Sequence, residues 1–206
     1  MKPVTITKLI VFPLCLVPLA LLAWKGFHGQ LGANPIEVIT HATGDWTMRF
    51  LLVTLSITPL RRLTRRLWLI RFRRMFGLFA FFHGCLHLTT WLWLDKFFDV
   101  QEMLADIGKR RFITVGMTGF ALMIPLAATS TAWAIRKLGR RWQVLHRLIY
   151  FSAIAGVIHY FWLVKADIRP PLLYAVILGV LLAYRVIAWA VERVRARQPQ
   201  AAAAAR

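Results

Sequence analysis

Six apolar stretches of near-membrane length divide this 206-residue chain, at about residues 8–24, 45–60, 75–94, 112–129, 143–164 and 171–191. In hydrocarbon every backbone N–H and C=O must find a partner inside the protein, so an open segment that crosses a bilayer does so as a helix. Crossing takes roughly 17–25 residues. The second stretch, from Trp46 to Leu60, is short and carries Arg49, whose guanidinium is expected to snorkel to the near surface. Pro13 and Pro18 in the first stretch are tolerated in a membrane helix. Lys2 and Lys8 ahead of it resemble the start of a signal peptide, but no A-x-A-like cleavage site follows, and the stretch is read as a retained helix. The expected fold is all-α, a polytopic bundle of six transmembrane helices. Residues 1–192 form one transmembrane domain and 193–206 a basic cytoplasmic tail, unstructured from Gln198.

Composition agrees: 59% of the residues are hydrophobic, against roughly 45–50% in a soluble domain. Cys15 and Cys85 lie in apolar runs and read as small buried hydrophobes, not as a disulfide framework. The formal charge of +19 has a sidedness. With the N-terminus inside, one face collects Lys2 and Lys8, then Arg61, Arg62, Arg65, Arg66, Arg71, Arg73 and Arg74, then Arg136, Lys137, Arg140 and Arg141. Seven of the eight acids fall on the other face. That is the positive-inside pattern, with both termini cytoplasmic. Lys109-Arg110-Arg111 on the outer side is the local exception. Trp24, Trp46, Trp91, Trp93, Trp133, Trp142, Trp162 and Trp189 lie near span ends, as interfacial aromatics do. The run Arg61–Arg74 reads as a topology determinant touching anionic lipid. A phosphate site for a flavin nucleotide or a docking face for an acidic partner is the sharper alternative. Nucleic acid fits poorly on a short loop between two spans.

Ionisable residues inside spans are expensive and usually functional. His87, His146 and His159 are such residues, and imidazole is a common axial ligand of haem iron. His87 lies about seven residues from the outer end of the third span and His159 about five from that of the fifth, so their depths differ by only a few ångström. The two are expected to clamp one haem between facing helices. His146 lies about 20 Å deeper. On a straight helix it cannot reach the iron that His159 holds, and thirteen steps of ~100° put the two about 140° apart. A ligand role for His146 elsewhere and a merely polar, near-interface role both stay open. His83, one turn from His87, is read as structural; His41 is read as interfacial and His28 as a loop residue. Arg185 is expected to snorkel, with a propionate or flavin phosphate as the alternative partner. The chain has no Gly-x-Ser-x-Gly, no His-Glu-x-x-His and no P-loop. Acids are nearly absent from the spans, which argues against a proton-relay transporter.

Several motifs stand in order: Gly29-x-Leu31-Gly32-Ala33-x-Pro35, Leu55-x-Ile57-Thr58-Pro59-Leu60 and Ile70-Arg71-x-Arg73-Arg74-x-x-Gly77-Leu78. Leu86-His87-Leu88-Thr89, Leu138-Gly139-x-Arg141-Trp142-x-x-Leu145-His146 and Ile158-His159-Tyr160 follow. Over about residues 8–190 the chain resembles the MsrQ (YedZ) family, haem-binding membrane subunits of periplasmic methionine sulfoxide reductase systems. The wider class is that of ferric reductase-like transmembrane domains. The resemblance implies an inner-membrane b-type cytochrome that carries haem b and FMN and takes electrons from the quinone pool. It implies delivery to MsrP, a soluble molybdopterin subunit outside, in which sulfoxide reduction itself takes place. It matches His87, His146 and His159 to the family's haem histidines and leaves FMN without assigned residues. The chain has no Gly-x-Gly-x-x-Gly and no length for a cytoplasmic flavin and nicotinamide domain, so quinol or a separate flavin reductase is the expected donor. Two alternatives stand beside this reading. One is a stand-alone haem ferric reductase or quinol-linked cytochrome. The other is a haem-free scaffold or small transporter with structural histidines.

Overall fold

Each apolar stretch becomes a helix. The computed structural model describes residues 3–204, and no strand occurs among them. Helix α1 (Pro3–Phe27) contains both prolines and leads to α2 (Pro35–Thr64). Asn34 caps α2 by accepting from the Glu37 N–H at 3.3 Å, and Pro35 sits at the first turn, where its missing N–H costs nothing. A left-handed Arg65 (φ 56°) ends α2. After one 3-10 turn (Leu67–Leu69), α3 spans Ile70–Thr89 and runs on as a π-helical stretch, Thr90–Asp95. Then come α4 (Val100–Lys109), α5 (Arg111–Ala128), α6 (Ala132–Leu138), α7 (Arg140–Leu145), α8 (Leu148–Leu163) and α9 (Arg169–Ala204).

Among the described residues, five helical stretches are long and apolar enough to cross a membrane: Thr5–Phe27, Leu67–Asp95, Arg111–Ala128, Arg140–Leu163 and Arg169–Val194. The chain is an all-α, multi-pass membrane protein. Helix α2 is not among the five, because its polar and charged residues dilute its apolar run. At 30 residues it is nevertheless a rod of about 45 Å, and it sits centrally, with Leu51 and Leu55 fully buried.

Two helix pairs make the centre. α2 packs along α3, and α5 along α8; α3 touches α5 and α2 touches α8, closing a four-helix group. α1 lies outside against α2 and α3, α9 outside against α2 and α8, and both expose rows of large apolar side chains, as lipid-facing helices do. Close approach of α5 and α8 rests on small residues. A Cβ on Gly119 would lie 3.2 Å from that of Ala155, and the Ser152 hydroxyl donates to the Gly119 carbonyl at 2.8 Å.

The structure departs from the sequence expectations in several places. The fifth span is two helices, α7 and α8, broken at His146–Arg147. α4 and α6 are further helices between the apolar stretches. α9 carries the backbone in helix through Ala204 where the tail was expected to be unstructured, in keeping with alanine's helix propensity; Ala205 and Arg206 lie outside the described residues. Neither Arg49 nor Arg185 simply snorkels. Arg49 donates to the Tyr174 hydroxyl at 3.1 Å and pairs with Asp45 at 3.6 Å. Arg185 donates to the Tyr150 hydroxyl at 3.1 Å and to the Leu55 carbonyl at 2.7 Å. The reason lies four residues on, at Pro59. Proline has no N–H to give the Leu55 carbonyl its helical bond, so Arg185 supplies the donor.

Candidate cofactor site

The four central helices enclose a cavity of about 300 Å³, at the lower end of small-molecule sites. His87 enters it from α3 and His159 from α8. Their ring centres are 6.1 Å apart and their planes lie at 79°. Two imidazoles sharing one metal ion at bonds of about 2.0–2.1 Å hold their ring centres about 6 Å apart. The separation therefore suits a single iron between them.

Each ring is oriented in the same way. The His87 Nδ1 lies 2.9 Å from the Thr40 carbonyl oxygen, and the His159 Nδ1 2.6 Å from that of Phe112. A carbonyl oxygen only accepts, so Nδ1 carries the proton and, in the neutral ring, Nε2 keeps its lone pair. Such a bond behind the ring fixes the tautomer of a metal-binding histidine and raises its basicity.

Each ring also lies against a glycine one turn beyond the accepting carbonyl. A Cβ on Gly44 of α2 would stand 3.1 Å from the His87 ring, and one on Gly116 of α5 only 2.6 Å from the His159 Nδ1. The two halves share one plan: Thr40, Gly44 and His87 on α2 and α3, and Phe112, Gly116 and His159 on α5 and α8. Carbonyl and histidine are 47 residues apart in both.

The cavity carries its charged side chains at one end only. Glu37, His41, Asp45, Trp91, Asp95 and Arg110 lie around its outer rim, whereas Met48, Leu51, Met117, Phe120 and Met123 line the rest. A macrocycle with an apolar body and a carboxylate edge matches that division. Donor chemistry agrees: no cluster of three or more His, Cys, Asp or Glu side chains able to hold a bare metal ion occurs among the described residues. Two opposed imidazoles need a ligand that brings its own equatorial donors, as haem does.

The other histidines are placed apart from this pair. His146 caps the C-terminus of α7 and does not line the cavity. Its Nε2 lies 3.0 Å from the Thr129 hydroxyl, and Trp142 stacks on its ring at 3.9 Å. The Thr129 proton is drawn to the Pro125 carbonyl at 2.6 Å, so toward His146 that hydroxyl accepts and Nε2 donates. The nitrogen left free is Nδ1, the reverse of the other two. His83 is 1% exposed inside a box of Phe50, Phe82 and Trp46, with neither ring nitrogen partnered. His41 stands at the rim 3.8 Å from Glu37, and His28 stacks on Trp24 in the turn after α1.

Sequence reasoning missed four participants. Gly44 and Gly116 were not singled out, although their identical 43-residue offset from a histidine is visible in the chain. Trp91, read as an interfacial aromatic, is turned into the cavity by the π-helical stretch; such stretches recur at functional sites. Lys96 carries no sequence motif that marks it out. It is 5% exposed, lying 2.7 Å from Asp106 and 3.6 Å from Asp95, with Glu102 as its third carboxylate. These partners, close to the molecule's edge, cover it. Hydrogen bonds to Asp106, then Glu102, hold its ammonium pKa well above the ordinary lysine value. This network ties α4 over the outer end of the cavity. Between it and α3, Phe97 and Phe98 adopt left-handed φ of 47° and 62°, a strained pair for bulky residues.

Residues 43–157 match the family model described as the ferric reductase like transmembrane component. Among curated proteins the chain is 54% identical to the protein-methionine-sulfoxide reductase heme-binding subunit MsrQ of Herminiimonas arsenicoxydans, over 92% of this chain and 88% of that protein. It is 51% identical to the MsrQ of Bordetella parapertussis, over 92% and 93%. The MsrQ of Rhodospirillum rubrum is 48% identical, over 93% of each chain. No solved structure matches. The matched segment contains His87 and ends two residues before His159, and the identity to the MsrQ proteins extends over nearly the whole chain; this protein belongs to the ferric reductase-like transmembrane family and, within it, to the MsrQ subunits.

Proposed function

We propose that the chain is a b-type cytochrome subunit of the bacterial inner membrane that passes electrons from the quinone pool to the periplasmic molybdopterin reductase MsrP, for repair of methionine sulfoxide in oxidised proteins. His87 and His159 would hold one haem b through their Nε2 atoms. The observation that carries the reading is the pair of anchored imidazoles 6.1 Å apart, each with Nε2 free to ligate. The relatives' names, which specify haem binding and a protein-methionine-sulfoxide reductase, support both parts. His146 has no place in the coordination of this iron.

α2 is the sixth span, and both termini are cytoplasmic, as the basic segments Arg61–Arg74 and Arg136–Arg141 argue. The haem then lies toward the outer face, the side from which a soluble acceptor takes electrons. Bound there, haem supplies one-electron transfer between ferric and ferrous iron. The chain's residues ligate it, set its ligand tautomers and exclude water. Electrons would come from quinol in the bilayer or from a reduced flavin nucleotide such as FMN at the basic inner face. Sulfoxide reduction, a two-electron step, belongs to the partner.

Dithionite-reduced spectra of the purified variants test the ligands. His87→Ala and His159→Ala are each expected to abolish the low-spin α-band while the protein keeps its elution profile. An unchanged spectrum and haem content in either would remove that histidine as a ligand. Stopped-flow mixing of the reduced protein with MsrP tests the partner: reoxidation is expected, and a haem that stays reduced would exclude MsrP as acceptor.

A further inference from the structure

The rim of the cavity holds one buried donor without an acceptor, on Trp91, and beside it the half-exposed guanidinium of Arg110. The Trp91 indole nitrogen is shut off from solvent and has no hydrogen-bond partner. An indole N–H only donates, and a buried one left unpaired is rare in native structures. Arg110 lines the same cavity. Its Nε is held 3.2 Å from Asp106, which leaves its Nη groups without a partner among the described residues.

The carboxylates at the rim are already engaged. Glu37 takes the Asn34 amide at 2.9 Å and faces His41 at 3.8 Å. Asp45 pairs with Arg49 at 3.6 Å, and Asp95 with Lys96 at 3.6 Å. Each of these carboxylates faces a cation or a donor, whereas the Trp91 N–H and the Arg110 Nη groups face no acceptor, so a group with anionic oxygens would complete that part of the rim. Trp91 stands one helical turn beyond His87 on the outer side, beside the ligand and away from the Met48–Met123 end.

Resting on the haem reading above, we propose that the Trp91 indole N–H and Arg110 receive a haem propionate at the outer rim. Asp106 and Lys96 act through Arg110 as positioning residues. This gives α4 a role: the ion network that ties it down also aims the guanidinium. A propionate bound by an N–H and a cation is partly neutralised, which favours the ferrous state. Removing either donor is expected to lower the haem midpoint potential.

The test compares haem b with its dimethyl ester, which keeps the iron and ring but has no propionate charge. The full-length protein, produced without haem and titrated in detergent, is followed by its Soret band. The wild type is expected to prefer haem b by about tenfold or more. Trp91→Phe and Arg110→Gln are each expected to shrink that preference and lower the potential, while the bis-histidine spectrum stays unchanged. Arg110→Lys should restore part of it. Equal affinity of the wild type for both haems would overturn the proposal without any substitution. A preference that survives intact in both variants would also overturn it, leaving Trp91 and Arg110 to another anion such as a lipid phosphate. Both outcomes leave the ligand assignment standing, because that assignment fails only if His87→Ala or His159→Ala keeps the low-spin spectrum.

Discussion

The α2–α3 and α5–α8 halves of the site follow one plan at different tightness. In each, a histidine leans on a glycine of the neighbouring helix and donates to the carbonyl one turn before it. In the α5–α8 half the hydrogen bond is 2.6 Å and the space for a Cβ ends 2.6 Å from the ring. In the α2–α3 half the values are 2.9 Å and 3.1 Å. The tighter half also carries the small-residue contact of Gly119 with Ala155, whereas the looser half passes into a π-helical stretch just after its histidine. The difference suggests a division of labour. His159, pressed against the α5 backbone, would set where a bound iron sits, and His87 has more room to adjust to it.

Substituting the two glycines probes that division directly. Gly116→Ala puts a methyl where the His159 ring already is, so the ring must turn and its bond to Phe112 must break. Haem affinity is expected to fall by roughly 10–100-fold, the usual penalty for losing a ligand's outer-shell support. Gly44→Ala asks its neighbour for a few tenths of an ångström and is expected to cost about a few-fold while keeping the low-spin spectrum. Haem titration of both variants gives the order. Equal losses would erase the distinction between the halves, and a larger loss for Gly44→Ala would reverse it.

Part of this arrangement was legible in the sequence and part was not, for identifiable reasons. Span length and the similar depth of His87 and His159 within their spans follow from helix rise alone, and the structure sets the two rings 6.1 Å apart. The glycine partners needed helix pairing to be known, since a 43-residue offset has no meaning until α2 lies on α3 and α5 on α8. The break at His146–Arg147 carries no proline or glycine to announce it. α4 was overlooked because its apolar stripe of Val100, Met103, Leu104 and Ile107 is too short to stand out beside true spans. Arg185 was read as a snorkelling charge because its acceptor, the Leu55 carbonyl freed by Pro59, lies 130 residues away in the chain.

The α4 network belongs to neither half and closes the cavity over both. Lys96→Met leaves Asp106, only 10% exposed, with Arg110 as its remaining cation. The loss is expected to be about 3 kcal/mol of local stability, seen as faster amide exchange in Val100–Lys109 with α5 and α8 protected as before. Its pH dependence has a definite sign. The folded pKa of Lys96 lies above its unfolded value of about 10.4. The stabilisation is then complete below that value and lost only as pH rises through the higher folded one. Exchange in α4 should therefore show no Lys96 titration between about pH 6 and 9, and a lysine-dependent loosening within that window would contradict the network.

Arg185 and Pro59 offer a finer comparison at the inner end of the α2–α3 half. Arg185→Leu orphans the Leu55 carbonyl and is expected to cost about 1–3 kcal/mol. Pro59→Ala in the same background restores the helix's own N–H and should recover part of that in a thermal melt. If the double variant is no more stable than Arg185→Leu, the arginine matters through Tyr150 instead.

The smallest effect is expected at His146, and it decides whether the two-half plan is complete. This ring is engaged through Nε2 by Thr129 and covered by Trp142, and it does not line the cavity that His159 enters. His146→Ala should leave the His87–His159 spectrum and its midpoint potential unchanged, and cost about 1 kcal/mol for the lost hydrogen bond. Haem content per protein is the discriminating measurement. An unchanged ratio assigns His146 to holding the α7–α8 break against the end of α5. A ratio that falls by half, with the remaining haem spectrally intact, would place a second haem at the inner end with the free Nδ1 as ligand, where no matching imidazole faces His146 and the symmetry of the outer site has no counterpart.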